Sequence, residues 1–514
     1  MSLLDEEDSL IISPKERVKT DMLCFHFSWP IFFAVFQIFI FVIVYGQDFS
    51  IFHPPDNNGL RCGINNARFA KGFNDYKNNT ILLHNGVCSK SCNGAKFLSY
   101  CIPKNKTLLK RSSLPFKASY DFIQYKKFAI ISIISFIIIS IPVYFVIIKE
   151  ISIISIILMV FISVLCAGSA IYEFYSKNYI FGIILCIVGC IYLLFFLFLR
   201  SRINSIKPIL VTSLSLILQN KSLFVIPFLI MFSVFIIAMV SIFGFIFSKG
   251  VSEPIPIVNG LQQKQHKSLT LTTAMFPVLG IWLAEFMISW ARSAIALIIS
   301  SSYFQKHTPT VTEALALMAH FHSGTLFFGS FVIFCLEQMS NFFNFLRQTM
   351  KETKSPFVKF TCKCTLNICF CCVQFFGEVN RLSTVYTAVK GVSFWDGCKK
   401  AANALKIQSV LSIELIIHHL FLGIRLLLSF ASLVAVFIYQ QQLALYFPLI
   451  PILWIPMTVY IALASIDVTF TASSDTILLC LCEDAKTDGF HGPKDLEGIV
   501  NWLKEHVVQE TFKE

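Results

Sequence analysis

The sequence predicts an all-α fold, a polytopic integral membrane helical bundle of about ten transmembrane helices with one large extracytosolic loop after the first helix. Hydrophobic residues make up 55% of the 514 residues and charged residues only 14%, whereas a soluble domain carries about 25% charged residues. The mean hydropathy is +0.69. Because so much apolar surface cannot be hidden from water inside one globule, these proportions exclude a soluble globular enzyme.

Several segments reach the roughly 20 apolar residues that a helix needs to cross the hydrocarbon core. They are Cys24–Tyr45, Phe128–Ile148, Ile151–Tyr172, Tyr179–Leu199, Leu223–Phe247, Leu269–Ser300, Ala314–Leu336, Ile407–Tyr439 and Ala444–Ile466. Two further stretches, Ile203–Gln219 and Cys362–Gly377, are ambiguous. With a cytosolic N-terminus, one of these two must cross if the C-terminus is cytosolic too. Counting Lys and Arg favours the first, because the basic loop Arg347–Lys359 then faces the cytosol.

The net charge of +12 is spread over the loops between the apolar segments. A basic chain often binds nucleic acid, but Lys and Arg in short loops are typical of the cytosolic face of a membrane protein. We therefore predict a lipid bilayer, and no nucleic acid, as a partner of this chain.

The apolar segments divide the chain into five predicted regions. These are a cytosolic N-terminal tail (1–23), the first transmembrane helix (24–46), an extracytosolic disulfide-containing loop (47–127), a transmembrane bundle with short loops (128–480) and a cytosolic C-terminal tail (481–514).

The predicted loop contains four cysteines and two glycosylation sequons, at Cys62, Cys88, Cys92, Cys101, Asn78 and Asn105. Both features are typical of the oxidising side of a membrane. A polar loop between helices gains stability from cross-links, so we expect two disulfides. Four cysteines allow three pairings, and the sequence leaves the choice among them open.

Ionisable residues inside membrane segments are costly and are candidates for function. Glu285 lies near the middle of the sixth segment, and a helix places Trp282, Ser289 and Arg292 on the same face. This face could line a water-filled substrate pathway. Alternatively, Glu285 and Arg292 could form an internal ion pair bridged through neighbouring helices.

Further polar residues follow in the later segments. His322 and Thr325 lie in a helix rich in small and hydroxyl residues, Glu414 and the pair His418-His419 lie in the penultimate segment, and Asp475 lies near the last one.

We find no catalytic motif. The cysteines between Cys362 and Cys372 lack regular zinc-ligand spacing and are interpreted as palmitoylation or packing residues. The sequence thus predicts no enzyme, no cofactor and no metal.

Short motifs spread along the chain resemble those of the choline transporter-like family. They are Thr20-Asp21, Asp56-x-x-Gly59-x-x-Cys62-Gly63, Cys88-x3-Cys92, Trp282-x-x-Glu285-Phe286, Tyr303-Phe304, His322-x-Gly324-Thr325-x3-Gly329-Ser330, Gly391-x-x-Phe394, Cys398-Lys-Lys-Ala, Asp475-Thr476, Cys480-Leu-Cys482-Glu483-Asp484 and Asp488-Gly489. The resemblance implies ten helices, a glycosylated loop after the first, and uptake of choline or a related organic cation. It also implies that Val251–Ser268 is extracytosolic, which favours a crossing by Cys362–Gly377.

The resemblance also predicts the substrate site. Choline would be held by aromatic faces, with Trp282, Phe286, Trp290, Phe321 and Trp454 as candidate rings. Glu285 or Asp475 would attract the cation, and His322 or Thr325 would meet its hydroxyl. We expect alternating access in the plasma membrane.

One departure from the family pattern opens an alternative. Ala291-Arg292 stands where relatives have a pair of glutamines, and an arginine 4 Å from a cation would repel it by about 4 kcal/mol at an effective dielectric of 20. Either Glu285 neutralises Arg292, or the solute is a phosphorylated or zwitterionic one such as a thiamine phosphate. A lipid-handling membrane protein is a further alternative.

Overall fold

The architecture is that of a helical bundle with one small β-rich loop, seen in a computed structural model. The structure describes residues 17–45, 53–65 except 59, 76–103 except 84, 114–150, isolated positions between 167 and 190, 206–250, 252–265 except 258 and 259, 267–349, 373, 375–406, 408–440, 449–486 and 490–511. These residues are mostly helical.

The helices alternate with short connections along the described chain. They are α1 (Met22–Tyr45), α2 (Leu114–Lys149), α3 (Ile206–Gln219), α4 (Val225–Gly250), α5 (Lys267–Tyr303), α6 (Val311–Thr349), α7 (375–390), α8 (Phe394–Lys406), α9 (Gln408–Gln440), α10 (Leu449–Asp484) and α11 (Glu497–Thr511). Short 3-10 turns precede α4 (Lys221–Phe224) and α11 (Lys494–Leu496).

Six helices in the described part of the chain, α2, α4, α5, α6, α9 and α10, are long and apolar enough to cross a membrane. The predicted segments Ile151–Tyr172 and Tyr179–Leu199 lie largely outside the described residues, as does Cys362–Gly377. At 1.5 Å per residue, α3 rises only about 21 Å, which is less than the roughly 30 Å of the hydrocarbon core. The total of ten crossings therefore stays a prediction.

The loop after α1 contains a small sheet. Its strands are β1 (Ile81–Leu82), β2 (Cys88–Ser89), β3 (Ala95–Phe97) and β4 (Tyr100–Ile102), in the order β2-β1-β4-β3. β1 pairs in parallel with β4, and the outer pairs are antiparallel. The all-α prediction misses these strands because strands of two or three residues leave almost no alternation in a sequence.

Two disulfides hold this loop together, and they choose among the pairings that the sequence left open. One joins Cys62 to Cys88 and the other joins Cys92 to Cys101. The first disulfide packs against Leu82, Ile102 and Phe116 in a small buried cluster. Phe116 belongs to α2, which begins at Leu114, within the segment predicted as loop, so the helix itself closes the loop's core.

A second β element lies between α4 and α5. The strands β5 (Ser252–Ile257) and β6 (Gly260–Gln265) form an antiparallel hairpin within the stretch that the resemblance assigns to the extracytosolic side. No sequence pattern predicted this hairpin.

Helix α10 lies at the centre of the bundle, in contact with α2, α4, α5 and α9. Every residue from Ser465 to Cys482 is buried. The helix can be enclosed because its polar side chains are short, and small or hydroxyl residues let neighbouring helices approach closely. The hydroxyls of Thr471, Ser473 and Ser474 donate to carbonyls one turn earlier in the same helix, so they need no outside partner.

Candidate functional site

Acidic residues occur at three levels along α10. Asp467, Asp475 and the pair Glu483-Asp484 are eight residues apart, which corresponds to about 12 Å of helix between levels. The three levels differ in how well their carboxylates are partnered, and this difference identifies the candidate site.

The middle level is only loosely paired. The Oδ2 atom of Asp475 lies 4.0 Å from Nη1 of Arg292 on α5, and Oδ1 lies 3.5 Å from Nε2 of His418 on α9. Asp475 is 1% exposed, yet neither of its oxygens accepts a hydrogen bond within the described part of the chain. A buried carboxylate in this state retains much of its desolvation cost.

A second carboxylate beside it is also unpartnered. Glu414 lies one turn before His418 on α9, is fully buried, and accepts no hydrogen bond from any described residue. Its neighbour Glu378 on α7 accepts a bond of 2.9 Å from Nη1 of Arg381. The same guanidinium nitrogen lies 3.3 Å from each ring nitrogen of His418. Residues from α7 and α9 thus complete a polar cluster around Asp475.

Glu285 adds a fourth carboxylate to this cluster. It interacts electrostatically with Arg292 and Arg381, and with Glu337, which is exposed on α6. Glu285 is half-buried, so it is accessible from outside the packed core. We name the set Glu285, Arg292, Glu378, Arg381, Glu414, His418 and Asp475 the carboxylate cluster.

The carboxylate cluster has an excess of acidic groups. It contains four carboxyl groups and two guanidinium groups, and His418 can offset one more negative charge when it is protonated. Buried charges need a compensating partner. The cluster is therefore suited to a cationic solute, a metal ion or protons.

Aromatic rings lie next to Glu285 on the same helix. The Trp282 ring is 4.7 Å from that of Phe327 and 5.3 Å from that of Phe331, between centroids. Phe286 stacks on Trp290 at 6.5 Å. Such faces attract organic cations. Of the other predicted residues, Ser289 is buried on α5, whereas Trp454 is 57% exposed on the bundle surface.

The structure places three predicted substrate residues away from the carboxylate cluster. Phe321, His322 and Thr325 bind the segment before α1, which we name the N-terminal strap (residues 17–21). The Thr20 hydroxyl lies 2.8 Å from Nδ1 of His322 and 2.7 Å from Oγ1 of Thr325, and the Thr20 amide donates to the Phe321 carbonyl. His322 and Thr325 are fully buried by these contacts.

The donors and acceptors of the strap can be assigned as one chain of hydrogen bonds that leads from Arg17 to Asp21. Arg17 can only donate, so Nε2 of His322, 3.1 Å from its Nη1, accepts and Nδ1 carries the proton. Nδ1 then donates to Thr20, Thr20 donates to Thr325, and Thr325 donates to Asp21 at 2.6 Å. Burial lowers the pKa of Arg17 to about 10, so the guanidinium remains charged at neutral pH.

Two backbone features allow the strap to pack against α6 and α8. Asp21 also accepts a bond of 2.8 Å from the amide of Phe394 at the start of α8. A Cβ on Gly324 would lie 2.1 Å from the Asp21 carbonyl oxygen, so only glycine allows this approach. The motifs Thr20-Asp21, His322-x-Gly324-Thr325 and Gly391-x-x-Phe394 therefore meet in one network.

The two outer levels of α10 have closer partners, although Oδ2 of Asp467 accepts no hydrogen bond from any described residue. Asp467 accepts a hydrogen bond from the Tyr144 hydroxyl and lies 3.5 Å from Arg425, which covers the Tyr460 ring. At the other end, Glu483 lies 3.0 Å from Nζ of Lys390. Asp484 accepts from the Tyr303 hydroxyl at 2.9 Å and lies 3.0 Å from Nδ1 of His491.

Sequence reasoning missed part of the carboxylate cluster. It selected Glu285, Arg292 and Asp475, noted Glu414 and His418 without a role, and did not select Glu378 or Arg381. The spacing of Glu414 and His418, four residues apart on one helix face, was a signal that could have been used.

Comparison with known proteins agrees with this architecture. The sequence profile of the plasma-membrane choline transporter family matches residues 183–486, more than half of the chain. Choline transporter-like protein 2 of Bos taurus is 25% identical over 252 residues, covering 45% of this chain and 35% of that protein. Choline transporter-like 1 of Drosophila melanogaster is 25% identical over 241 residues, covering 45% and 34%. The chain thus matches about a third of the length of these relatives. It belongs to the plasma-membrane choline transporter family.

Proposed function

We propose that this membrane transporter moves choline or a similar amino-alcohol cation by alternating access. The observation that carries the proposal is the charge of the carboxylate cluster, where four buried or half-buried carboxyl groups face two guanidinium groups. A permanently charged organic cation entering this cluster would supply the missing positive charge.

The neighbouring rings support a quaternary ammonium solute in particular. A trimethylammonium group has no hydrogen to donate, so aromatic faces and diffuse negative charge must hold it. Trp282 and Phe286 flank Glu285 on α5 and combine both features. Arg292 is a smaller obstacle than the sequence suggested, because Asp475 lies at ion-pair distance from it as well.

The outer levels of α10 support alternating access. On α10, the Asp467 network lies before Asp475 and the network around Glu483 and Asp484 lies after it, and each network bonds α10 to neighbouring helices. Transport would require each network to open in turn while the other stays closed. The second network joins α5, α7 and α10 through Tyr303 and Lys390, so its opening would separate these helices.

We also propose the plasma membrane, two cytosolic termini and an extracytosolic loop. The two disulfides in the loop support an oxidising surrounding for it. Asn78 is then a glycosylation site; Asn105, the second proposed site, lies outside the described residues. Mobility shifts after glycosidase treatment of Asn78→Gln and Asn105→Gln variants would test this topology.

A phosphorylated or zwitterionic solute is the second candidate. The observation that favours it is the presence of two arginines, Arg292 and Arg381, in one cluster. Paired guanidinium groups are a usual partner of phosphate.

Uptake into proteoliposomes tests both candidates. We expect saturable uptake of radiolabelled choline, weak competition by thiamine monophosphate, and at least a tenfold loss of uptake in Glu285→Gln. Glu497→Gln, on the exposed end of α11, is the matched control and should keep full uptake. Strong competition by thiamine monophosphate would favour the phosphorylated solute, and phospholipid movement without choline uptake would favour the lipid-handling alternative.

A further inference from the structure

Three potential metal ligands converge at one edge of the carboxylate cluster. A carboxylate oxygen of Glu378, one of Glu414 and a ring nitrogen of His418 all lie within 4.8 Å of one another. Glu414 and His418 are four residues apart on α9 and share a helix face, while Glu378 reaches them from α7. Two helices thus contribute to one set of ligand atoms.

The burial of Glu414 favours a cation as the ligand of this set. Its side chain is fully buried, and neither oxygen accepts a hydrogen bond from the described part of the chain. A carboxylate removed from water needs a positive partner or a proton. The oxygens of Glu414 lie beside Glu378, a second carboxylate, so the local charge is acidic even before Asp475 is counted.

The chemistry of the ligands favours a transition metal. Carboxylate oxygens and imidazole nitrogens are both ligands of Zn²⁺, and the imidazole favours a transition metal, whereas Mg²⁺ and Ca²⁺ prefer oxygen ligands alone. At bond lengths of about 2.0–2.2 Å, the ligand atoms of a tetrahedral Zn²⁺ lie about 3.3–3.6 Å apart, so side-chain rotations that move the ligand atoms by roughly 1 Å would bring them to an ion. Asp475, 3.5 Å from Nε2 of His418, can orient the ring while Nδ1 faces the ion.

The positively charged guanidinium of Arg381 lies where a metal ion would contact Glu378 and His418. Its Nη1 atom lies 2.9 Å from Glu378 and 3.3 Å from both ring nitrogens of His418. The guanidinium and a metal ion would compete for these ligands. The Arg381 side chain is 31% exposed, so it has space to turn away.

We propose that Glu378, Glu414 and His418 form a binding site for a divalent transition metal of the zinc class, in competition with Arg381. The bound ion joins α7 to α9. It therefore restrains any movement between these helices, and in a transporter it acts as an inhibitor. Binding itself does not depend on the solute that the protein moves.

Zinc binding to the purified full-length protein in nanodiscs tests the site, with a fluorescent zinc chelator as competitor. We expect Glu414→Gln and His418→Gln each to weaken zinc binding at least tenfold. Arg381→Gln should strengthen it about tenfold, because a competing cation is removed. His419→Gln is the matched control, since this neighbouring side chain is exposed and bonded to its own helix.

The opposite signs of these changes separate a site from a folding defect. A misfolded variant could bind zinc through exposed cysteines, so thermal unfolding of each variant checks its integrity and sulfur ligands in the absorption spectrum would reveal such binding. X-ray absorption of the zinc-loaded protein should show oxygen and imidazole ligands, with the imidazole signal lost in His418→Gln. Zinc bound only to sulfur, or equal affinity in wild type and Glu414→Gln, would overturn the proposal. Zinc affinity and X-ray absorption are both measured without choline, so their outcome does not depend on whether the protein transports choline.

Discussion

Asp467 and Asp475 lie eight residues apart on the same buried helix, yet their surroundings are opposite. Asp467 accepts one hydrogen bond from the Tyr144 hydroxyl and has one guanidinium, that of Arg425, opposite its single negative charge, although its Oδ2 accepts no hydrogen bond from described residues. Asp475 belongs to a cluster in which carboxylates outnumber guanidinium groups, and its oxygens lack hydrogen bonds from described residues. Both side chains are nearly inaccessible, at 5% and 1% exposed, so burial does not distinguish them.

The difference between the two levels separates buried charges that stabilise the fold from buried charges that are available to a ligand. A balanced buried pair ties helices together and is costly to break. An unbalanced cluster contributes little to stability by itself, because uncompensated carboxylates oppose burial. If the proposed function is correct, such a cluster is retained for the cation that it would bind. Variants at the two levels should therefore separate stability from transport.

Breaking the balanced level should give the largest effect. Asp467→Asn removes the charge opposite Arg425 and leaves a buried guanidinium without its partner, which costs about 3 kcal/mol. We expect the free energy of unfolding in detergent, measured with a chemical denaturant, to fall by this amount. Asp475→Asn should lower the free energy of unfolding by less than half as much, because Arg292 still interacts electrostatically with Glu285. Equal losses at both positions would contradict the distinction between the two levels.

Neutralising the unbalanced level should change transport and leave the fold intact. Glu414→Gln removes a buried negative charge that no described residue balances by a hydrogen bond. Choline uptake should fall at least tenfold, since the cluster loses part of its attraction for a cation. The free energy of unfolding should stay within about 1 kcal/mol of wild type or rise, because a desolvation cost disappears. Unfolding at markedly lower denaturant would make Glu414 a structural residue.

The sequence was sufficient for features that are local in the chain. The predicted segment Leu269–Ser300 corresponds to α5, and Ala314–Leu336 lies within α6, because long apolar runs report directly on membrane helices. Glu285 and Arg292 were found for the same reason, since a charge inside such a run is conspicuous.

Features that depend on packing could not be read from the chain. Glu378 and Arg381 lie on α7, beyond the ambiguous stretch Cys362–Gly377, and their approach to α9 has no signal in sequence. His322 and Thr325 were interpreted as substrate residues because they are polar and lie in a membrane segment. Their partners belong to residues 1–23, a region predicted only as a tail, more than 300 positions away.

The N-terminal strap extends the comparison to a third network and should give the smallest effect. The side chains of Arg17, Thr20 and Asp21 each have at least one hydrogen-bond partner, so we expect a structural role. In Gly324→Ala the new Cβ would meet the Asp21 carbonyl at 2.1 Å, and the strap must shift at a cost of about 1 kcal/mol. Gly423→Ala on α9 is the matched control, because nothing lies within 4 Å of its Cβ.

Limited proteolysis measures this shift. The Arg17 side chain is buried and bonded, so trypsin should cleave after Arg17 only when the strap is open, and at low protease the cleavage rate follows the open population. A cost of 1 kcal/mol corresponds to about fivefold faster cleavage, whereas Gly423→Ala should cleave at the wild-type rate. Choline uptake should fall less than in Glu414→Gln, because the strap contacts none of the carboxylate cluster in the described contacts. A larger loss of uptake in Gly324→Ala than in Glu414→Gln would mean that a balanced network can also be functional, and charge balance would no longer separate the two classes.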